Sequence, residues 1–490
     1  MTRSVDSTPV EDRAGRRSLG SELLRKVVHV GMGGFALLLR WLAPWQAALC
    51  ALAAVAFNLF ALHRLTRRRL LRAGEAQSGF SWGIALYPAV VLAVIVVFQR
   101  RMELAAAVWG LLAFGDGMAT VTGVLVGGRR LPWNREKSWA GFIAFVLYGT
   151  AAAAFLIRWT QQAVLDSALR GAAGESQLHV GTSFLAVRAA DSIVSDPVYL
   201  LLGCLVAALA AAFAESLDSG IDDNFLVPLV GGSVLFAATL VEPSRLVDAA
   251  GTLGTNLLSG AAINAVLALV ALAARGVGRS GALWGWALGT TLFAFGGWRG
   301  FLMLFSFFVL GTAATRLGHS RKAALGIAQE RGGRRGAGNA FANTGAGVLF
   351  AVMSVATPHP ELFTIALVAA FATAACDTVS SEIGQAYGKR HFLVTSLRRV
   401  RAGTEGAVSL EGTLAGIIAA AVLGVAAWSI GLIDTMGAII VTVAAFVGTT
   451  VESYIGAVAE RFGGIDNEAI NFANTVLGAL TAGALFVILR

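Results

Sequence analysis

AAAVWGLLAFGDGMATVTGVLVGG (Ala105 to Gly128) and ALVAAFATAACDTVSSEIGQAYG (Ala366 to Gly388) are the two stretches whose reading decides the fold. Each begins as an apolar run of membrane-spanning character, then meets an aspartate followed by small residues at helical spacing. Asp116, Ala119, Gly123 and Gly127 repeat the spacing of Asp377, Ser380, Gly384 and Gly388. Small residues three or four apart allow close helix packing. An ionisable group at the bilayer centre, however, costs roughly 2.5–3.5 kcal/mol and is a functional candidate by default.

Working outward, apolar runs long enough to span about 30 Å recur along the chain. They lie near 27–43, 45–62, 80–98, 104–125, 139–159, 197–217, 225–241, 252–274, 281–297, 300–317, 340–357, 361–376, 411–431, 433–453 and 468–489. The expectation is an all-α polytopic integral membrane protein of about fifteen helices in two related halves. Composition agrees: 56% of the 490 residues are hydrophobic and 14% charged, against roughly 25% charged in ordinary soluble domains. Disorder and a disulfide scaffold are excluded by that apolar content and by only three cysteines, Cys50, Cys204 and Cys376, with no metal-ligand spacing. The net charge of +9 is spread over short loops and forms no nucleic-acid patch. With the N-terminus inside, residues 1–26 and the segments 64–72, 127–137, 275–279, 316–335, 389–401 and Arg461 hold 29 of the 38 Lys and Arg. The positive-inside rule then places the N-terminus in the cytoplasm. The polar connection 160–196 falls outside and has no assigned role.

Further motifs repeat in order. Ser138-Trp139-Ala140-Gly141 answers Ser409-Leu410-Glu411-Gly412; Glu215-Ser216 followed by Gly220 to Asn224 (GIDDN) answers Glu452-Ser453 followed by Gly464 to Glu468 (GIDNE). A weaker echo pairs Arg25, His29, Gly31 and Gly33 with Asn339, Asn343, Gly345 and Gly347. The expected divisions are a cytoplasmic segment 1–26 and membrane domains 27–245 and 246–490. Asp116, Glu215, Asp222 and Asp223, with Lys137, make one acidic set; Asp377, Glu382, Glu452, Asp466 and Glu468 make the other. Hard carboxylate oxygens suit Mg²⁺ together with substrate phosphates, while loop cations and glycines suit the phosphates themselves. Phosphoryl transfer fits both sets, although the same acids could cap helices or pair with loop arginines. Amides such as Asn474 could equally bond neighbouring helices. Gly31-x-Gly33-x-x-Ala36 follows no strand and is no dinucleotide fingerprint, and no P-loop is present.

The stretches ELLRKVVHVGMGG (Glu22 to Gly34), the run from Asp116, Leu131-Pro132 to Lys137-Ser138 and Asp222 to Pro228 resemble the phytol kinase and dolichol kinase family over about residues 20–245. The second half, through Gly296 to Gly318, Asn339 to Gly347, Cys376 to Gly384 and Gly403 to Gly416, resembles the transmembrane family that includes plant phytyl-phosphate kinase. Ala140, where the kinase pattern has Glu, and Cys376, where Ala is usual, are departures. The resemblance implies CTP as donor, with a long isoprenoid alcohol as acceptor in the first half and its monophosphate in the second. Asp116 and Asp377, assisted by Glu215 and Glu452, are then expected to hold Mg-nucleotide. Lys137 and Arg401 would touch phosphates, and Asp222, Asp223 and Asp466 would align the attacking oxygen. Gly123, Gly127, Ser138, Gly384, Gly388 and Ser409 complete the expected nucleotide sites; Arg25, His29, Asn339, Asn343 and Asn474 face the acceptor. A prokaryotic cytoplasmic membrane is the expected location, with both sites facing the cytoplasm. A cytidylyltransferase and a transporter with duplicated bundles are the rival readings.

Overall fold

The computed structural model describes residues 25–60, 82–172, 196–217, 221–274, 277–324, 337–404, 406–459 and 467–490. Nearly all of them are helical, because a backbone in hydrocarbon must satisfy its own hydrogen bonds. Among the described residues eleven helices are long and apolar enough to cross a membrane, and Pro44–Phe60 and Leu86–Val97 are shorter apolar helices. All fifteen apolar runs fall on helices within the described residues. The count of separate spans is lower than the count of runs, since two runs share one helix and others are short or partly 3-10. The chain forms two compact units, Met1–Leu240 and Val241–Arg490.

In the first unit, α1 (25–33) continues as the 3-10 segment Gly34–Arg40. It is followed by α2 (Pro44–Phe60), α3 (Trp82–Val97), α4 (Met102–Val126), α5 (Trp139–Ala172), α6 (Pro197–Ser216) and α7 (Asp223–Leu240). The core joins Leu104, Val108, Leu111 and Leu112 of α4 to Phe145 and Leu156 of α5 and to alanines of α6. Small residues allow these approaches: a Cβ on Gly231 would meet Leu111 at 2.9 Å and one on Gly115 would meet Phe145 at 2.8 Å. Helix α5 extends beyond its apolar run to Ala172, and residues 173–195 of the expected outer connection lie outside the described residues.

In the second unit, α8 (Pro243–Asp248) and α9 (Ala250–Ala273) lead into α10 (Arg279–Ala324). Runs 281–297 and 300–317 are both in α10, which breaks at Gly297, where φ is +60°, a conformation open to glycine. Then come α11 (Ala337–Ala356), α12 (Pro360–Tyr387), α13 (Leu410–Ser429), α14 (Thr435–Ala459) and α15 (Asn467–Leu489). Helix α12 is the axis, buried from Ile365 to Cys376 against α11, α13, α14 and α15. Between α12 and α13 the all-helical expectation is amended by a small antiparallel sheet of β1 (His391–Leu393), β2 (Arg399–Val400) and β3 (Ala407–Val408), in the order β2-β1-β3. A loop this polar leaves the apolar core, and short strands there can pair with one another.

Candidate active site

Helix α4 is α-helical at both ends but π-helical over Leu111–Asp116, so the buried Asp116 stands at the end of a widened turn. Such π segments are frequent at functional sites. Glycine 117, the next residue, has no side chain where a Cβ would run into Val30 of α1. The close approach brings two side chains of α1 to the aspartate. Lys26 Nζ donates to Asp116 Oδ1 at 2.9 Å and Oδ2 at 2.7 Å, and His29 Nε2 lies 3.5 Å from Oδ2 and 3.0 Å from the Leu112 carbonyl. The His29 ring packs edge-on to Tyr87 at 4.4 Å.

The loop after α4 folds back as a hairpin. Leu131 N donates to the Lys137 carbonyl and Trp139 N to the Arg129 carbonyl, each at 3.0 Å. Trp133 Nε1 and Asn134 Nδ2 donate to Ser216 at 2.9 and 3.1 Å, tying this hairpin to the end of α6. Lys137 is thereby placed in an ion pair with Glu215 and 3.5 Å from Asp223. Burial alone would lower the Lys137 pKa, but the Glu215 and Asp223 carboxylates outweigh it and hold the ammonium above the ordinary lysine value. Carboxylate oxygens of Asp116, Glu215 and Asp223 all lie within 4.8 Å of one another. This donor set, hard oxygens with partial exposure at Asp223, fits a divalent cation such as Mg²⁺ shared with phosphate oxygens.

The polar cluster closes one end of a cavity of about 790 Å³. Arg25, Lys26, His29, Asp116, Asp222 and Asp223 line that end, and the walls beyond it are apolar side chains of α1, α2 and α3 together with Trp109. Asp222 accepts from Asn224 N and Nδ2 at 2.9 and 2.8 Å, capping α7 and leaving Asp223 as the acid of the pair that meets Lys137.

Ser138 and Gly123, expected at a nucleotide, have a packing role: Gly141 N donates to Ser138 Oγ at 3.2 Å, and a Cβ on Gly123 would lie 3.3 Å from that oxygen. The second unit repeats the arrangement, with Gly412 N donating to Ser409 Oγ at 3.1 Å and Gly384 against the same oxygen. A Cβ on Gly141 would meet the Ala119 carbonyl at 2.8 Å, and one on Gly412 the Ser380 carbonyl at 2.5 Å. Equal sequence spacing has produced equal helix contacts. Gly127 has φ +64° and ends α4, while Gly388 ends α12 beside His391, whose Nε2 lies 2.9 Å from the Gly384 carbonyl.

In the second unit Thr373, Gly448 and Gly478 meet where α12, α14 and α15 cross. One turn along each helix stand Asp377, Glu452 and Asn474, and Asp377 hydrogen-bonds Glu452 and Ser381. Asn474 is 1% exposed and its Oδ1 has no hydrogen-bond partner among the described residues. Asn343 is buried and donates to the Asn339 carbonyl one turn back. Glu382 is not part of an open acidic set: Lys322 of α10 forms a buried ion pair with it. Arg401 is exposed in the loop between β2 and β3, and Asp466 lies outside the described residues. Sequence reasoning did not assign roles to Lys26 or Lys322. Lys26 was detectable as the residue one turn before His29 and Val30; Lys322 had no local signal, because its partner is sixty residues away.

Fold and site define a polytopic integral membrane protein with carboxylate–lysine clusters at the ends of its helices. The chain belongs to the integral membrane protein DUF92 family, which residues 262–479 match. It is 44% identical over 200 residues to an uncharacterized membrane protein, sll0875, of Synechocystis, covering 40% of this chain and 78% of that one. Protein VTE6, chloroplastic, of Arabidopsis thaliana is 38% identical over 214 residues, 42% of this chain and 64% of that protein. Probable phytol kinase 3, chloroplastic, of Glycine max is 25% identical over 242 residues, 46% of this chain and 66% of that protein. The chain therefore spans about two thirds of the length of these plant relatives, and each of the three covers under half of it. No solved structure matches.

Proposed function

We propose that the protein is a CTP-dependent kinase of isoprenoid alcohols, forming the monophosphate in the first unit and the diphosphate in the second. The observation that carries this reading is the cavity of the first unit, whose polar end is lined by Arg25, Lys26, His29, Asp116, Asp222 and Asp223, with the Glu215–Lys137 ion pair meeting the same carboxylates, and whose remaining walls are largely apolar. A prenyl alcohol has that same division. The relation to a probable phytol kinase supports the acceptor class, and CTP rests on the resemblance of both halves to CTP-using families.

In the first unit the alcohol oxygen would bond to the γ-phosphorus of CTP as the bond to the bridging oxygen breaks and CDP leaves. The hydroxyl proton would pass to Asp223, the most exposed carboxylate of the three. Lys137 would hold phosphate oxygens, Lys26 would keep Asp116 charged and oriented, and Asp116, Glu215 and Asp223 would hold Mg²⁺. When bound, Mg²⁺ would neutralise phosphate charge, which is the main requirement of phosphoryl transfer. In the second unit the acceptor is an ionised phosphate and brings no hydroxyl proton to remove. Asp377, Glu452 and Asn474 would position it and the nucleotide.

The test is product analysis with purified protein in lipid, Mg²⁺ and CTP labelled either in the base or at the γ-phosphate, offered phytol, geranylgeraniol and longer polyprenols. Labelled CDP and prenyl mono- and diphosphates are expected. Base label in the lipid product, with pyrophosphate released, would establish a cytidylyltransferase instead, and CTP-independent flux in liposomes would establish a transporter.

A further inference from the structure

We infer that Asp377, Glu452 and Asn474 of the second unit form an all-oxygen site for one divalent cation, which the protein holds without nucleotide; this goes beyond the function proposed above, where Mg²⁺ belongs to the carboxylates of the first unit. The three residues come from three helices whose directions are fixed at the far end of the bundle. Arg490, just past the end of α15, makes ion pairs with Glu361 in the first turn of α12 and with Asp434 just before α14. Helices α12 and α14 therefore run in one direction and α15 in the other. They touch where glycines remove the side chains: a Cβ on Gly448 would lie 3.1 Å from the Gly478 Cα and 3.0 Å from Thr373 Cγ2. Asp377 follows Thr373 by four residues, Glu452 follows Gly448 by four, and Asn474 precedes Gly478 by four. One turn of about 5.4 Å carries all three to the same side of the crossing and keeps them on the facing sides of their helices.

What converges there is acceptor oxygen. Asp377 hydrogen-bonds Glu452 and Ser381, and among the described residues no lysine or arginine pairs with it. Two carboxyl groups in contact away from water need a positive charge between them, either a proton or a cation. Asn474 distinguishes the two. It is 1% exposed, and its Oδ1 has no hydrogen-bond partner among the described residues. A proton shared by the carboxyls leaves this buried carbonyl oxygen unsatisfied, which is costly, whereas a divalent cation takes carboxylate and amide oxygens together. The first unit is arranged otherwise: Lys26 donates to both oxygens of Asp116, and Lys137 pairs with Glu215, the acid that answers Glu452 in the repeat. Ammonium groups already supply the charge there, so a metal competes with them unless it arrives with phosphate. In the second unit the cation itself supplies it.

The experiment titrates Mn²⁺ into purified, metal-stripped protein in lipid nanodiscs without nucleotide and counts bound ion by electron paramagnetic resonance. Wild type should hold one Mn²⁺ per chain, at a site that Asp116→Asn leaves in place. Asn474→Leu should weaken that site about tenfold or more, Asp377→Asn should abolish it, and Asn474→Asp, which keeps an oxygen ligand in nearly the same shape, should retain it. Asp377→Asn and Asn474→Asp are close to isosteric, so they decide the matter should the leucine variant fail to fold. Mn²⁺ that binds only after CTP is added, or a nucleotide-free ion that survives in folded Asp377→Asn, would overturn the inference. Conversion of supplied prenyl monophosphate with CTP, followed by chromatography, tests the kinase reading separately. A resident ion without conversion leaves the site standing and removes that reading for the second unit; conversion without a nucleotide-free ion overturns the site alone; absence of both overturns both.

Discussion

Asp116 and Lys26 are a pair in which neither charge is separable from the other. Asp116 is 2% exposed at its side chain and Lys26 14%, with both carboxylate oxygens accepting from the ammonium. Removing one partner of a buried pair typically costs about 3–5 kcal/mol, because the remaining charge is left uncompensated. Lys26→Met is therefore expected to lower the melting temperature in detergent, and Lys26→Met combined with Asp116→Asn to recover most of the loss; a thermal-shift double-mutant cycle measures the coupling. Asp116→Asn alone should reduce alcohol phosphorylation by roughly 10²–10³-fold while supplied prenyl monophosphate is still converted to diphosphate. Asp377→Asn should do the reverse and let monophosphate accumulate, and chromatography of the products distinguishes the two. Loss of both steps in one folded single mutant would indicate one composite site. Lys137 adds a pH expectation. Its folded pKa lies above the unfolded value, so its stabilisation is complete below the ordinary lysine value and is lost as pH rises through the raised one. Alkaline loss of activity below that range would then come from a group other than Lys137, which a pH profile of Lys137→Arg can verify.

At the scale of elements, the site depends on how closely helices approach. Gly117 sits where any side chain would collide with Val30, and it is this contact that holds α1 against the π segment of α4. Gly117→Val should push α1 outward, separate Lys26 and His29 from Asp116, and remove alcohol phosphorylation. Gly31→Ala is the matched control, since nothing lies within 4 Å of the Cβ it would add. Activity and thermal stability of the two variants, measured side by side, check the claim; equal effects would refute it. The two serine caps make a weaker, local contribution. Ser409→Ala removes the acceptor for Gly412 N at the start of α13 and should cost about 1 kcal/mol, with little change in substrate preference if the hydroxyl serves packing alone.

For the whole molecule, the polar clusters make two demands. If Asp116, Glu215 and Asp223 hold a divalent cation, EDTA should abolish CDP formation and Mg²⁺ should restore it, with the protein remaining folded throughout by circular dichroism. If both clusters meet cytoplasmic nucleotide, single cysteines in 127–137 and 389–401 should react with an impermeant maleimide only from the cytoplasmic side. Labelling of either loop from outside would separate its cluster from CTP and defeat the mechanism for that unit.

The sequence by itself determined what depends on composition and periodicity. Apolar runs bounded by charged loops can only become membrane helices, and the repeated spacing from Asp116 and from Asp377 fixed which residues of each helix share a face, hence the matched contacts of Gly141 with Ala119 and of Gly412 with Ser380. It also grouped Asp116, Glu215, Asp222 and Asp223 as one acidic set, and the structure brings oxygens of Asp116, Glu215 and Asp223 within 4.8 Å of one another. Only the tertiary structure decided which charges meet. Lys26 reaches Asp116 across ninety residues and Lys322 reaches Glu382 across sixty, pairings that no local pattern encodes. The π turn at Leu111–Asp116, the break at Gly297 and the cavity beside α2 are likewise features that no local spacing announced. Helix identity is written in nearest-neighbour chemistry, whereas a site is formed by contacts whose free energy exists only once the helices have assembled.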